Sequence, residues 1–171
     1  MGEGSSAWHG TVIRGDLSPI KIGKNTVIQD NSRVGSNSGN DAAEISIGDN
    51  VYIGANANVD AAAELESFAY VGMGSTVGKG SKVQSFAVLA AGANLPDGET
   101  VPSGQIFAGS PAKYLRDLTQ QEKHLIGEHH LEMQQLAQVY NEMTELTVRE
   151  QLEQMDSLLK HQFQCHSRSF E

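Results

Sequence analysis

Hydrophobic positions in this chain recur every sixth residue, without a miss, at Ile47, Ile53, Val59, Leu65, Val71, Val77, Val83, Leu89, Leu95, Val101 and Phe107. Ile22, Ile28 and Val34 keep the same beat upstream. A period of six fits neither the 3.6-residue turn of a helix nor the alternation of a strand over so long a run. It predicts an all-β solenoid, a parallel β-helix of hexapeptide repeats in which each coil stacks on the last. With three hexads to a coil of triangular section, residues 47–107 make a little over three coils. The upstream beats add one or two more.

The residues around the beat support this reading. Glycine often follows a beat residue, as in Ile22-Gly23, Val34-Gly35, Ile53-Gly54 and Val71-Gly72. A small side chain stands two places before it, as at Ala57, Ala63, Ala69, Ser75, Ser81, Ala87 and Ala93. The beat residue is expected to fill a narrow core and the small residue to sit at a corner. Glycine and asparagine tolerate the positive φ that tight corners demand. One segment breaks the rhythm: Val34 to Ile47 is 13 residues, one more than two hexads, and the stretch between is polar and turn-rich. Residues 36–44 are expected to form a loop ejected from the stack, either a contact for a partner or site, or a tolerated surface insertion.

Beyond Pro111-Ala112-Lys113 the period changes. Thr119-Gln-Gln-Glu122 is a capping box and opens a predicted helix over about 119–146. Leu125, Leu136, Val139, Tyr140, Met143 and Leu146 lie at helical spacing on it. A second box, Thr147-Val-Arg-Glu150, predicts a restart over about 148–163, with Leu152, Met155, Leu159 and Phe163 on one face. The division expected is therefore a β-helix over 7–113 and a helical extension over 114–171. From Asp117 onward there are ten acidic and four basic side chains, so the extension is amphipathic and acidic. It is expected to pack on the prism or on neighbouring copies, its second helix offering a further partner face.

Composition narrows the class. At 171 residues with 39% hydrophobic but only 6% aromatic content, the chain suits one narrow solenoid better than a broad core. A formal charge of −9 argues against nucleic acid and anionic lipid as partners. No apolar run approaches the ~18 residues of a membrane span. Cys165 is alone, so no internal disulfide forms, a reducing compartment is expected, and the thiol is read as inert. Residues 1–10 have neither the apolar stretch of a signal peptide nor the arginines of a transit peptide.

The chemistry-bearing side chains are few. No histidine lies between residues 10 and 123. His9 precedes the coils and is expected to be hydrogen-bonded at a chain end. His124, His129, His130, His161 and His166 lie on the extension. His124 with His129 or His130 lacks a third ligand, so a solvated helix face is the expectation there. Arg14 and Asp16 are two residues apart and suit an ion pair, with each other or across a subunit boundary.

Several motifs in order resemble the γ-class carbonic anhydrase family over about residues 7–140. They are Trp8-His-Gly-Thr-Val-Ile-Arg-Gly-Asp16, Ile28-Gln-Asp-Asn-Ser32, Ile47-Gly-Asp-Asn-Val-Tyr-Ile-Gly54, Val71-Gly-Met-Gly-Ser75 and Pro102-Ser-Gly-Gln-Ile-Phe-Ala-Gly-Ser-Pro-Ala-Lys113. The resemblance implies a left-handed β-helix, a trimer, and zinc held between subunits by three histidines. The positions matching those ligands are Gly35, Ala55 and Asp60, and none is histidine. Arg14, Asp16 and Gln29 match polar residues of the family's subunit interface, so a retained interface without catalysis is expected.

Members of that kind resemble the γ-carbonic-anhydrase-like subunits of mitochondrial respiratory complex I. The resemblance thus implies a structural subunit of a heterotrimer with other γ-carbonic anhydrase chains. That trimer would sit at complex I membrane-arm subunits, on the matrix side of the inner membrane. No cofactor is expected on this chain alone, zinc being supplied by partner subunits at another interface. The alternatives are an active zinc-dependent γ-class enzyme using Asp60, a hexapeptide acyltransferase, and a free scaffold. The family also implies another coil ahead of Trp8. Either the sequence is incomplete there or another chain covers the prism's open end.

Overall fold

The computed structural model describes residues 1–36 and 43–144. The chain divides into two compact units, Met1–Gln134 and Gln135–Glu171. In the first, strands mostly of two residues alternate with turns and assemble into three parallel sheets. Apart from the last strand, neighbours within each sheet are three strands apart in sequence, so the sheets are the three faces of a solenoid. The first face carries Ser6–Ala7, Val27–Ile28, Tyr52–Ile53, Tyr70–Val71, Val88–Leu89 and Gln105–Ala108. The second carries Val12–Ile13, Arg33–Val34, Asn58–Val59, Thr76–Val77 and Asn94–Leu95. The third carries Ile20–Ile22, Ile45–Ile47, Glu64–Leu65, Lys82–Val83 and Thr100–Val101.

The beat residues are the inward positions of these strands. Ile53, Val71, Leu89 and Phe107 stand in register on the first face, three hexads apart. Ile28, Val34, Ile53, Val59, Val71, Val77, Val83, Leu89, Leu95 and Val101 are fully buried. The small residues two places earlier are buried as well, from Ala57 to Ala93. Where that place holds a hydroxyl, the main chain satisfies it: Ser32 Oγ donates to the Gly54 carbonyl at 2.8 Å and Ser81 Oγ to the Pro96 carbonyl at 2.7 Å. A buried hydroxyl so paired costs little.

The break in the rhythm lies between Arg33–Val34 and Ile45–Ile47, where the 36–44 loop is expected, but its size differs from the count of hexads. Val34 is on the second face and Ile47 on the third, a step that elsewhere takes six residues, as from Val59 to Leu65. The step is therefore one hexad plus an insertion of seven residues, not two hexads plus one. The numerical beat slips by one residue across the loop, while the strand register is kept, with Ile47 paired on Ile22. A shorter insertion at residues 14–19 leaves the same corner one coil earlier. Residues 37–42 of the loop lie outside the described residues.

A reversed strand follows the last coil. Lys113–Asp117 turns back antiparallel on Gln105–Ala108, with a bulge between Ile106 and Phe107. This strand closes one end of the first face, and its Lys113, Arg116 and Asp117 charges blunt the exposed edge. At the opposite end Ile13 holds an inward register position yet is 37% exposed, because its strand is the outer edge of the second face.

A helix follows at Gln120–Thr144. Its capping box forms as the sequence predicts. The Glu122 amide donates to Thr119 Oγ1 at 3.2 Å and the Thr119 amide to Glu122 Oε2 at 2.9 Å. Arg116 clamps the same carboxylate at 2.6 and 2.7 Å. The Arg116 guanidinium, together with the Thr119 amide, draws the Glu122 carboxyl from its ordinary 4.5 to about 2. The helix start should thus keep its full cap above pH 4.5 and lose it as pH falls towards 2. Circular dichroism should show Glu122→Gln losing that acid-dependent step. The second helix expected over 148–163 lies outside the described residues, as do Leu146, His161, His166 and Cys165.

Candidate functional site

The three positions matching metal ligands surround the second face. Gly35 follows Arg33–Val34 and Asp60 follows Asn58–Val59, and because those strands pair in register the two residues stack in successive coils at one corner. Ala55 precedes Asn58–Val59, at the other corner of the same face. The backbone of all three is committed to the coils. Gly35 N and Asp60 N each donate at 3.0 Å, to Val59 O and Val77 O, and Ala55 O accepts from Gly74 N at 2.8 Å. The Asp60 carboxylate folds back to accept from the Ala61 amide at 2.7 Å.

Gly35 is also closed to any side chain. Its φ is 134°, and a Cβ there would lie 2.7 Å from Arg14 Cβ and 3.2 Å from the Arg14 main chain. Among the described residues no three of His, Cys, Asp and Glu are gathered to hold a metal. A glycine, an alanine and one turned-in carboxylate do not fit a zinc site built from three imidazoles.

Of the expected interface residues, two stand together. Arg14 Nη2 donates to Asp16 Oδ2 at 3.0 Å and Arg14 Nε to Asp16 Oδ1 at 3.4 Å, a two-pronged pair on the exposed corner beside Gly35. The guanidinium holds the Asp16 carboxyl below its usual range. Gln29 lies apart from them: its Nε2 donates to Met133 Sδ of the helix at 3.3 Å. His9 meets Asp30 at the coil edge, its amide donating to Asp30 Oδ1 at 3.0 Å.

The helix supplies what sequence reasoning missed. Of the expected apolar stripe, Leu125 is 57% exposed. Instead His129, His130 and Met133 meet the coils, a stripe at i, i+1 and i+4. The His129 ring stands edge-on to Tyr52 at 4.9 Å, and Tyr52 stacks on Tyr70 at 4.7 Å. His130 is 4% exposed, and its Nε2 donates to the Asn25 carbonyl at 2.5 Å. Gln134 Nε2 donates to that same carbonyl at 3.3 Å.

The expectation of a solvated histidine face is therefore corrected for these two residues and holds for His124, which is exposed beside Glu128. His129 and Met133 follow Leu125 by four and eight residues and so lie beside the apolar stripe, while His130 lies further round the helix. The spacing of His129, His130 and Met133 was the available signal. Burial lowers the His130 pKa, His129 adds to the lowering, and the Asn25 carbonyl opposes it. Burial also raises Tyr70, and raises Tyr52 to about 12, with Tyr70 adding to it. Both hydroxyls stay protonated at neutral pH.

The sequence is 48% identical over 143 residues to γ carbonic anhydrase 3 of Arabidopsis thaliana, named as mitochondrial, covering 82% of this chain and 55% of that protein. It is 37% identical to γ carbonic anhydrase 1 of the same plant, also named as mitochondrial, covering 82% and 52%. The chain thus spans about half the length of these curated relatives. A solved hexapeptide transferase family protein from Anaplasma phagocytophilum superposes with a TM-score of 0.76 at 36% identity, covering 82% of this chain and 80% of that one. No protein-family model matches the chain. Hexad coils, a reversed closing strand and a helix laid on one face coincide with this sequence identity, and the chain belongs to the γ-class carbonic anhydrase family of hexapeptide-repeat proteins.

Proposed function

We propose that this chain is a structural member of its family, one that contributes a face to a trimer and holds no catalytic zinc of its own. The observation that carries the reading is Gly35. A lost ligand could be tolerated at an otherwise open position, but here the space a histidine needs is taken by Arg14. Ala55 supplies no donor atom, and the Asp60 carboxylate is engaged with its own turn. Arg14 and Asp16 remain as an exposed charged pair on the corner where a neighbouring chain would pack.

The assembly that suits such a chain is a heterotrimer with other γ-carbonic anhydrase subunits, attached to the membrane-arm subunits of mitochondrial complex I on the matrix side of the inner membrane. The mitochondrial names of the Arabidopsis relatives support the compartment. Among the described residues no helix is long and apolar enough to cross a membrane, so attachment through partner subunits is the route this reading needs. An acyltransferase reading finds little support, because no histidine lies on the coils to serve as a base.

Two measurements test this. The purified chain should carry no stoichiometric zinc by elemental analysis and show no CO₂ hydration. Native separation from the source should place it in a large membrane assembly with relatives that carry the histidines. One zinc per interface in a homotrimer would overturn the structural reading. A small free trimer at the end of the separation would overturn the complex I assignment alone.

A further inference from the structure

Among the helix residues that meet the coils, His130 alone is buried and carries a ring that can gain a charge there. The outward residues of that face are Ser6, Val27, Tyr52, Tyr70, Val88 and Ile106, a mostly apolar ladder. Val27 is fully buried and Tyr52 is 7% exposed. Asn25 sits at a coil corner with φ 54°, and its carbonyl receives both His130 and Gln134. Neutral His130 can satisfy that carbonyl with Nε2–H and leave the ring uncharged. Protonated His130 would place a full charge in a largely buried site whose one contact from the coils is a neutral carbonyl, and burying a charge there is costly.

We infer that protonation of His130 undocks the 129–134 segment of the helix and uncovers the apolar ladder of the first face, so that this chain carries a proton-operated latch.

Against the charge penalty at His130 stands the Asn25 carbonyl, which burial outweighs. From the coils it meets the Asn25 carbonyl, a neutral acceptor, and from its own helix the nearest titratable group is His129, whose protonation adds repulsion. His129 packs against the Tyr52 and Tyr70 rings, and both hydroxyls are neutral below pH 10. Gln29 and Met133 are uncharged. Among the described residues no carboxylate is a cause of the His130 shift. The clamp at the helix start does not titrate in the same window, because Glu122 stays ionised down to about 2.

The sign follows from the direction of the shift. The His130 pKa is depressed in the docked state, so docking is at full strength above the ordinary histidine value of 6.5. It weakens as pH falls below 6.5 and is lost as pH passes through the depressed value. The 119–122 cap keeps the helix start in place while the later segment lets go.

Hydrogen exchange of the full chain between pH 7.5 and 5, corrected for the intrinsic pH dependence of exchange, tests the latch. Wild-type amides of residues 126–134 and of Val27 and Tyr52 should lose protection several-fold at the acid end, while those of Val77 and Val83 keep theirs. His130→Gln retains an amide donor for Asn25 and cannot titrate, so its protection should not change with pH. Wild-type protection that is flat with pH, or an equal loss in His130→Gln, would overturn the inference. A direct NMR titration of the His130 ring stands independently of the variant. A pKa below that of a free histidine supports the latch, and one at or above it overturns it.

Discussion

Returning histidine to position 35 is expected to break the corner it stands on and to leave the chain without a metal site. Gly35 has φ 134°, a region that side chains rarely adopt, and a Cβ would meet Arg14 at 2.7 Å. Arg14 cannot step aside freely, because its amide donates to the Val34 carbonyl at 2.8 Å and its guanidinium is held by Asp16. Backbone strain and overpacking together should cost on the order of 3 kcal/mol. Ala55→His and Asp60→His fall at half-buried positions outside the core and should each stay within about 1 kcal/mol. Urea unfolding separates these cases, with Gly35→His shifting the midpoint at unchanged slope. A triple variant that folds at wild-type stability and takes up one zinc per interface would show position 35 to be open. The ligand loss would then be a matter of three side chains and not of the backbone.

Gly54→Ala should destabilise the coils by about 3 kcal/mol, more than most alanine substitutions of glycine. Its Cβ would stand 2.6 Å from the Met73 amide nitrogen and 2.9 Å from the Gly72 carbonyl carbon. Both are main-chain atoms of the next coil, fixed by the hydrogen bond from Gly54 N to Val71 O at 2.8 Å. They cannot give way without opening the ladder. Gly74 is the control: its φ is 63°, but a Cβ there would meet nothing within 4 Å. Gly74→Ala should therefore cost only the left-handed conformation, about 1 kcal/mol. Thermal or urea melts of the two variants should differ by about 2 kcal/mol. Equal losses would mean that coil spacing relaxes to admit a methyl group.

The two glycines illustrate what the chain's pattern discloses and what it does not. Glycine after a beat residue was legible as a repeat feature, yet its cause is the close approach of the neighbouring coil. The same letter at Gly74 answers a conformational demand and at Gly54 a steric one. The insertion at 36–44 was legible as a break, but its size was not, since a thirteen-residue step reads as two hexads until the faces are assigned. The closing strand Lys113–Asp117 gave no period to read, being a single reversed strand defined by its partner Gln105–Ala108.

The candidate site divides in the same way. That positions 35, 55 and 60 lack imidazoles is written in the residues themselves. That position 35 has no room for one depends on Arg14, 21 residues earlier in the chain and adjacent only after one full coil. The docking face of the helix was hidden for a related reason. Burial of His130 depends on the Asn25 carbonyl, which no hydrophobicity scale registers.

By itself, then, the sequence determined the solenoid, its hexad core and the chemical poverty of the ligand positions, because a six-residue period and the absence of a side chain are local and additive. Only the tertiary structure decided which glycine is irreplaceable, where the inserted loops emerge and which helix face is buried, because each depends on atoms a whole coil or more away along the chain.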